Sequence, residues 1–592
     1  MKNKRIFRII ELIIIVLGLG FLLETDAYFT PHLLIGGLSV VCMFTAPSDE
    51  KPHILTYISP IVFALAVTGA NYPIWAEFSY PDEIGVTGRF VFGITMFLSV
   101  LVGSYLMAFH ILKALTSDAF RDCIQRIHAK ESTLPAPHPA KVFLVTFLSI
   151  SAIDISVLFL CRYPGVVTSD SLTQIKMFME GWYNNHHPFY HTQVIRIFMG
   201  IGLMVFHDFN AAIATYSVFQ ILFMAACFSS AVMTLSQMKL PKAFYVIPAI
   251  IYAIFPHHIN YSFSMWKDVM FGGIVLGFCV YYLRLFLGIG KKIPNCVLLA
   301  LFSLGACLFR SNGYIMFLIV VIIHLLIFRK EIFSKKSSLP RTGAIIFAGT
   351  LIAAFILKHP VLHALDVSQP DTVEMLCIPL QQISRTIIEN DDLTQRETEL
   401  IEEVVSPDRM KEVYHPLYAD PEKDLIRHEG NQMAIKENVA DYAFLYITLG
   451  LKHPGSYLKA WVDQTRGYWN SGYDYWRWID DTTSEEGYDI YRTVFSDFFA
   501  RHFYAYQWFF ENNPFLVLFL CIGLNVWMVW VLFHVSFVRG NRIGCVIAMP
   551  IIALVFTLQI SAPVYSEFRY VYSVFCAIPF LIPAVVFSGK DE

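Results

Sequence analysis

Blocks of about 20 apolar residues recur along this chain from Ile6 to Phe587, separated by short polar stretches. No soluble core has room for so many, whereas each is long enough to carry a helix through ~30 Å of hydrocarbon. Composition agrees: 56% of the 592 residues are hydrophobic and 15% charged, where a soluble domain carries about 25% charged residues. The fold class predicted is an all-α polytopic membrane protein. Apolar stretches lie at 6–24, 30–46, 54–71, 88–112, 142–160, 192–206, 211–235, 243–257, 268–288, 294–310, 313–329, 342–358, 514–535, 544–560 and 569–587. The first follows Lys2, Lys4, Arg5 and Arg8, and no small-residue cleavage site follows Gly20, so it reads as a retained helix with its N-terminus inside.

Lys and Arg in short loops favour the cytoplasmic side. That rule places Lys113–Lys141, Lys291/Lys292, Arg329–Arg341 and Arg539/Arg542 inside, and hence Arg162–Asn185 and the surroundings of Lys267, Arg310 and Glu567 outside. An even number of crossings must separate Asn185 from Lys267, yet three apolar blocks lie between them. The short 192–206 block, which carries Arg196 and is bracketed by His186-His187-Pro188 and His207-Asp208, is predicted to lie at the interface. This leaves 14 spans with both termini cytoplasmic.

The layout follows: a four-helix membrane segment over 1–113, a cytoplasmic loop over 114–141, a membrane core over 142–358 with an external loop at 162–210, an external domain over 359–513, and a three-helix segment over 514–592. The inner loop is too short for a nucleotide-hydrolysing domain, and neither a Walker motif nor G-x-G-x-x-G occurs. The external segment holds 27 Asp and Glu against 13 Lys and Arg, a net of −14 that argues against nucleic acid as its partner. Its one cysteine, Cys377, leaves it without a disulfide framework. Helical periodicity marks Glu397–Val405, Ile435–Leu451 and Tyr457–Tyr468, punctuated by Pro407, Pro416, Pro421 and Pro454.

Ionisable residues at the outer membrane edge are costly and few, and they gather in four places. Arg162-Tyr163-Pro164-Gly165 leads to Ser169-Asp170-Ser171; Trp266-Lys267-Asp268 opens one span; Arg310-Ser311-Asn312-Gly313 joins two others; Ser566-Glu567-Phe568-Arg569-Tyr570 opens the last. Singly, each reads as a helix cap or a local ion pair. Together they put Lys267, Arg310 and Arg569 on one face of the bilayer beside a lone carboxylate, Asp170. That is the arrangement needed to hold a lipid phosphate at headgroup depth while a carboxylate works on an acceptor. Asp154 and His324, inside spans, suit either structural pairing or a proton path, with pairing favoured.

The runs R-Y-P-G-V-V-T-S-D-S, N-H-H-P-F, W-K-D, F-R-S-N-G-Y, P-L-Q-Q-I-S-R (379–385) and S-E-F-R-Y resemble those of a group of bacterial multi-pass proteins similar in layout to the GT-C glycosyltransferases, among them the protein O-mannosyltransferases and the aminoarabinose transferase of lipid A. The resemblance implies a transferase in the bacterial plasma membrane that moves a sugar from a polyprenyl-phosphate donor to a glycan, lipid or protein acceptor at the outer face, inverting the anomeric carbon. It maps the acidic residue of the first external loop onto Asp170, as base. Lys267, Arg310 and Arg569 then hold the donor phosphate, while His186, His187, Asp268, Gln381, Gln382, Arg385 and Glu567 contact substrate. GT-C loops often carry an acidic pair where this chain has Ser169-Asp170-Ser171, so a divalent metal stays open and no cofactor is assigned. Tyr468, Trp469, Tyr473, Tyr475, Trp476 and Trp478 suit sugar stacking or, more simply, interface packing. The rival readings are a polysaccharide polymerase or ligase with a lipid-diphosphate donor, and a multi-pass transporter or lipid flippase; outer-face placement of the charges disfavours the latter, whose sites lie near the midplane.

Overall fold

A computed structural model describes residues 2–23, 30–47, 50–77, 84–132, 137–334, 339–472, 484 and 487–588. Helices account for the regular structure among these residues, and the only β-pairing is four isolated bridges. Ten helices are long and apolar enough to cross a membrane, and the pair Ala243–Ile254 and Pro256–Ser262, bent by 56°, passes the same test as a unit. Four shorter apolar helices accompany them: Pro31–Thr45, Ile54–Ala70, Ser311–Ile327 and Ile522–Val538. The chain is therefore a helical multi-pass membrane protein. All eleven cysteines are free.

Burial sorts the helices into two classes. Lys267–Leu287 is 94% buried over its most apolar window, Phe568–Phe587 83%, Arg542–Ser561 72% and Phe209–Gln237 67%. The other long helices range from 17% to 33% and turn apolar side chains outward, as lipid-facing helices do. Small residues explain why Lys267–Leu287 sits at the centre. A Cβ at Gly277 would meet the Phe302 ring at 2.4 Å, so glycine permits that close approach. The intramembrane His324 is a structural tie: its ring nitrogens meet the Tyr282 hydroxyl at 2.9 Å and the Pro340 carbonyl at 3.0 Å.

The polar 359–513 segment packs short helices around Leu380, Ile387, Leu400, Ile401, Ile426 and Leu449. Gln395–Val404 begins at a capping box between Thr394 and Glu397, one turn of backbone donors satisfied as its sequence suggests. Two readings change. The periodic run Ile435–Leu451 is two helices, Gln432–Glu437 and Val439–Lys452, because Asn438 leaves helical geometry (φ −120°, ψ 43°). Pro407, Pro421 and Pro454 stand at helix breaks as expected, each opening the next helix at N1 or N2, where the missing N–H costs nothing. The preceding membrane helix runs on to Ala364, past the boundary expected at 358.

Candidate functional site

The site is assembled from four helix ends and the loops that lead to them. Pro139–Cys161 finishes at Arg162, whose buried guanidinium lies 4.8 Å over the Tyr504 ring. The chain then turns through Gly165 (φ +125°), where a side chain would collide with Ser217 Oγ, and Ser217 donates to the Pro164 carbonyl at 3.0 Å. Val166 pairs alongside Ser264: its N–H donates to Phe263 O and its carbonyl accepts from Met265 N–H, both at 3.0 Å. Ser171 Oγ fastens to Met265 O at 2.7 Å. These contacts lay the start of helix Ser169–Glu180 directly on the start of helix Lys267–Leu287.

Thr168, not Ser169 or Asp170, holds the N-cap position, so the capping role open to Asp170 in the sequence is not the one it takes. Its carboxylate reaches Lys267 Nζ at 3.6 Å and Arg569 Nη1 at 3.0 Å. Arg569 reaches it from a 3-10 turn, Phe568–Val571, above the last helix, and its Nε faces Glu567 at 3.8 Å. Asp268, next to Lys267 and fully buried, pairs with Arg310 at the N-cap of Ser311–Ile327. The two halves share Tyr570: the Arg310 and Arg569 guanidiniums lie 4.9 Å and 5.1 Å from its ring centre, and Arg569 also lies 5.4 Å over Trp266. Exposure is graded across the cluster, from 29% at Asp170 and 18% at Arg569 to 10% at Arg310 and none at Asp268. The cluster therefore opens at Asp170.

The loop bearing Glu567 and Arg569 is held by the 359–513 segment. Ala419 N–H donates to Pro563 O at 2.8 Å, Tyr565 N–H to Leu417 O at 2.7 Å, and the Tyr468 hydroxyl to Val564 O at 3.0 Å. Gln381, buried, donates through Nε2 to the carbonyls of His415 (2.9 Å) and Tyr418 (2.8 Å), fixing the strand-like stretch that grips 563–565. Gln381 thus positions the loop. Gln382 is spent likewise, between Tyr457 O and the Tyr446 hydroxyl, and Arg385 between Glu389 and Asp463. All three, expected at sugar hydroxyls, have their nitrogen donors engaged within the 359–513 segment. Tyr468 and Trp469 are buried, while Tyr473, Tyr475, Trp476 and Trp478 lie outside the described residues.

His186 and His187 stand nearby, edge to face at 4.7 Å, on a loop that pairs with Ser368 through Asn185 N–H at 2.8 Å. His186 Nδ1 lies 3.9 Å from Glu374, which also takes Lys423 at 3.3 Å and Arg427. Glu374, Tyr570 and Trp266 were not expected on the site; for the last two the signal is the aromatic residue adjoining each motif's cation.

Burial alone would favour a neutral Asp170, but Lys267 and Arg569 outweigh it and hold its carboxyl well below the usual range. Burial pushes Glu567 up to about 7 despite Arg569, with Asp268 and Asp170 adding to the rise. Burial and the Lys267 charge push His187 down to about 3, so its ring is neutral. Among the described residues, no three His, Cys, Asp or Glu side chains converge as a metal cage, and Asp170 meets two cations where a metal would sit. These residues do not fit a divalent ion. They do fit an oxyanion, because charge-assisted donors from Lys267 and Arg569 converge at the cluster's open side.

No curated protein and no solved structure matches this chain. A protein-family model covers residues 179–591, which takes in Lys267, Arg310 and Arg569 but begins after Asp170. The chain belongs to DUF6020, a family of unknown function.

Proposed function

We propose that this protein is a GT-C-like membrane glycosyltransferase that moves a sugar from a polyprenyl-phosphate donor to a hydroxyl acceptor at the outer face of the membrane, with inversion. The observation that supports it is the meeting of Asp170, Lys267 and Arg569, far apart in sequence, at one part-exposed end of the bundle. This reading counts the ten long helices, the four shorter ones and the bent pair as 14 crossings, with Phe189–Phe206 set along the interface. Its length and apolarity would also let it cross, so that placement rests on the charge parity of the loops.

In the reaction, the acceptor oxygen forms a bond to the anomeric carbon as the bond from that carbon to the phosphate oxygen breaks, its electron pair leaving with the polyprenyl phosphate. The hydroxyl proton passes to Asp170. A carboxylate held so far below its ordinary pKa is a weak base while both cations rest on it. A donor phosphate that draws Lys267 and Arg569 to itself raises the basicity of Asp170 at the moment it is needed. Arg310 is committed to Asp268 and orients Tyr570 rather than reaching the donor. Transfer of a labelled sugar from polyprenyl phosphate in membranes carrying this chain tests the reading: activity lost in Asp170→Asn supports it, and activity unchanged in that variant overturns it.

A further inference from the structure

The two helices that begin at the Asp170 cluster end at a cavity. From Lys267 to Phe286, and from Arg569 to Phe587, a rise of 1.5 Å per residue covers roughly 27–28 Å, close to a bilayer's hydrocarbon thickness. Phe286 and Phe587 both line a cavity of about 820 Å³ at that far end. Its wall joins two parts of the chain. Lys51 comes from the stretch leading into helix Ile54–Ala70, Lys113 and Arg121 from the two helices Val86–Thr116 and Asp118–Ser132, and Arg539 and Arg542 from the turn between Ile522–Val538 and Arg542–Ser561. The family match begins at residue 179, so the first three lie outside it.

Three carboxylates share this lining, and each is occupied. Asp118 pairs with Arg121 at 2.7 Å, Glu331 pairs with Arg542, and Glu50 accepts from the Asp118 N–H at 2.9 Å. Lys51, Lys113 and Arg539 make no ion pair among the described residues. Arg539 is held in place through Nη2, which donates to Leu115 O at 2.6 Å, and by the Phe120 ring 5.2 Å away. Its Nε is buried with no acceptor among the described residues, a donor left open in a surrounding where unmet donors are costly. Below these cations the floor is apolar, with Phe286, Leu532 and Phe587.

We infer that this cavity binds a phosphate-bearing anion, gripped by Lys51, Lys113 and Arg539, which joins the N-terminal helices to the rest of the bundle. Basic pockets between membrane helices at one leaflet are suited to such headgroups, and the apolar floor accommodates the glycerol and first methylenes of a phospholipid. The site is independent of the transferase reading, since no residue is shared with it.

The test uses the full chain in nanodiscs. Melting is compared in phosphatidylcholine alone, in phosphatidylcholine with phosphatidylglycerol, and in phosphatidylcholine with soluble glycerol phosphate. The expected result is a higher unfolding midpoint with phosphatidylglycerol and retained phosphatidylglycerol adducts in native mass spectra, both lost in the Lys51→Gln/Lys113→Gln double variant. The exposed Lys291→Gln, away from the cavity, should leave both unchanged. Stabilisation by glycerol phosphate, equally lost in the double variant, assigns the same cavity to a soluble phosphate. No stabilisation by either probe overturns the inference. So does a double variant that binds as the wild type does, or a Lys291→Gln loss as large as that of the double variant.

Discussion

Two arginine–aspartate pairs knit distant parts of this molecule together, and they are built differently. Arg385 and Asp463 meet at 2.5 Å in the 359–513 segment; Arg385 also donates to Glu389 at 2.8 Å, and Asp463 accepts from the Tyr72 hydroxyl at 3.0 Å. Both side chains are nearly sealed, at 12% and 7% exposure, and every charge has its counterpart. Arg569 and Asp170 meet at 3.0 Å, but Lys267 rests on the same carboxylate oxygen and the pair opens to 18% and 29%. One is a staple that closes its valences; the other holds a surplus cation at an open edge. Surplus charge and access, rather than the presence of an ion pair, mark the candidate site.

That contrast breaks first, if it is wrong, at the staple. Asp463→Ala leaves Arg385 buried without its main counter-charge and cuts the tie to Tyr72, a loss of about 3–5 kcal/mol for an orphaned buried partner. Thermal unfolding in detergent should show it, and a midpoint equal to wild type would place the staple and the open pair in one class. Next in size, Arg569→Ala removes a charge-assisted grip on the donor, about 1.5–3 kcal/mol. It should appear in the dependence of transfer on polyprenyl-phosphate concentration, with the protein still folded because Lys267 stays on Asp170; unaltered donor dependence removes Arg569 from donor binding.

The pH profile gives a smaller and sharper reading. The carboxyl of Glu567 is raised from an ordinary 4.5 to about 7, so its neutral form stabilises the fold fully below about pH 4.5, and that contribution fades as pH rises through about 7. Over the same rise it places a new negative charge beside Arg569, while Asp170 and Asp268 stay paired with cations and His187 stays neutral. Donor use should weaken about tenfold, roughly 1.4 kcal/mol, from pH 6 to pH 8. Glu567→Gln should flatten the profile, and a slope that survives the substitution assigns it to another group. Least of all, His186→Gln breaks a 3.9 Å contact at the rim and should move the unfolding midpoint by under about 0.5 kcal/mol. A larger loss would make that loop part of the scaffold.

Much of this was legible from residue order alone. The apolar blocks announce the helices, and the four polar motifs at the outer edge announce Asp170, Lys267, Arg310 and Arg569, because placing charge there is costly enough to need a partner. Partner choice was not legible. Gln381, Gln382 and Arg385 look like sugar contacts in a row, yet their helix turns them to partners inside the 359–513 segment, carbonyls for the two amides and the Glu389 and Asp463 carboxylates for Arg385. Arg310 carries the same charge as Arg569 but is claimed by Asp268, its neighbour only in space. The break at Asn438 hides because apolar residues continue across it, and Thr168 takes the N-cap position, without a side-chain cap bond, where Ser169 or Asp170 was expected.

The most direct measurement is single-turnover transfer of a labelled sugar from polyprenyl phosphate by reconstituted protein, wild type beside Asp170→Asn, with unfolding midpoints recorded for both. The account predicts transfer slowed by about 10²–10⁴ in the variant, the range of a lost proton acceptor, with a single cooperative unfolding transition retained. Transfer at the wild-type rate from a folded Asp170→Asn protein would contradict it.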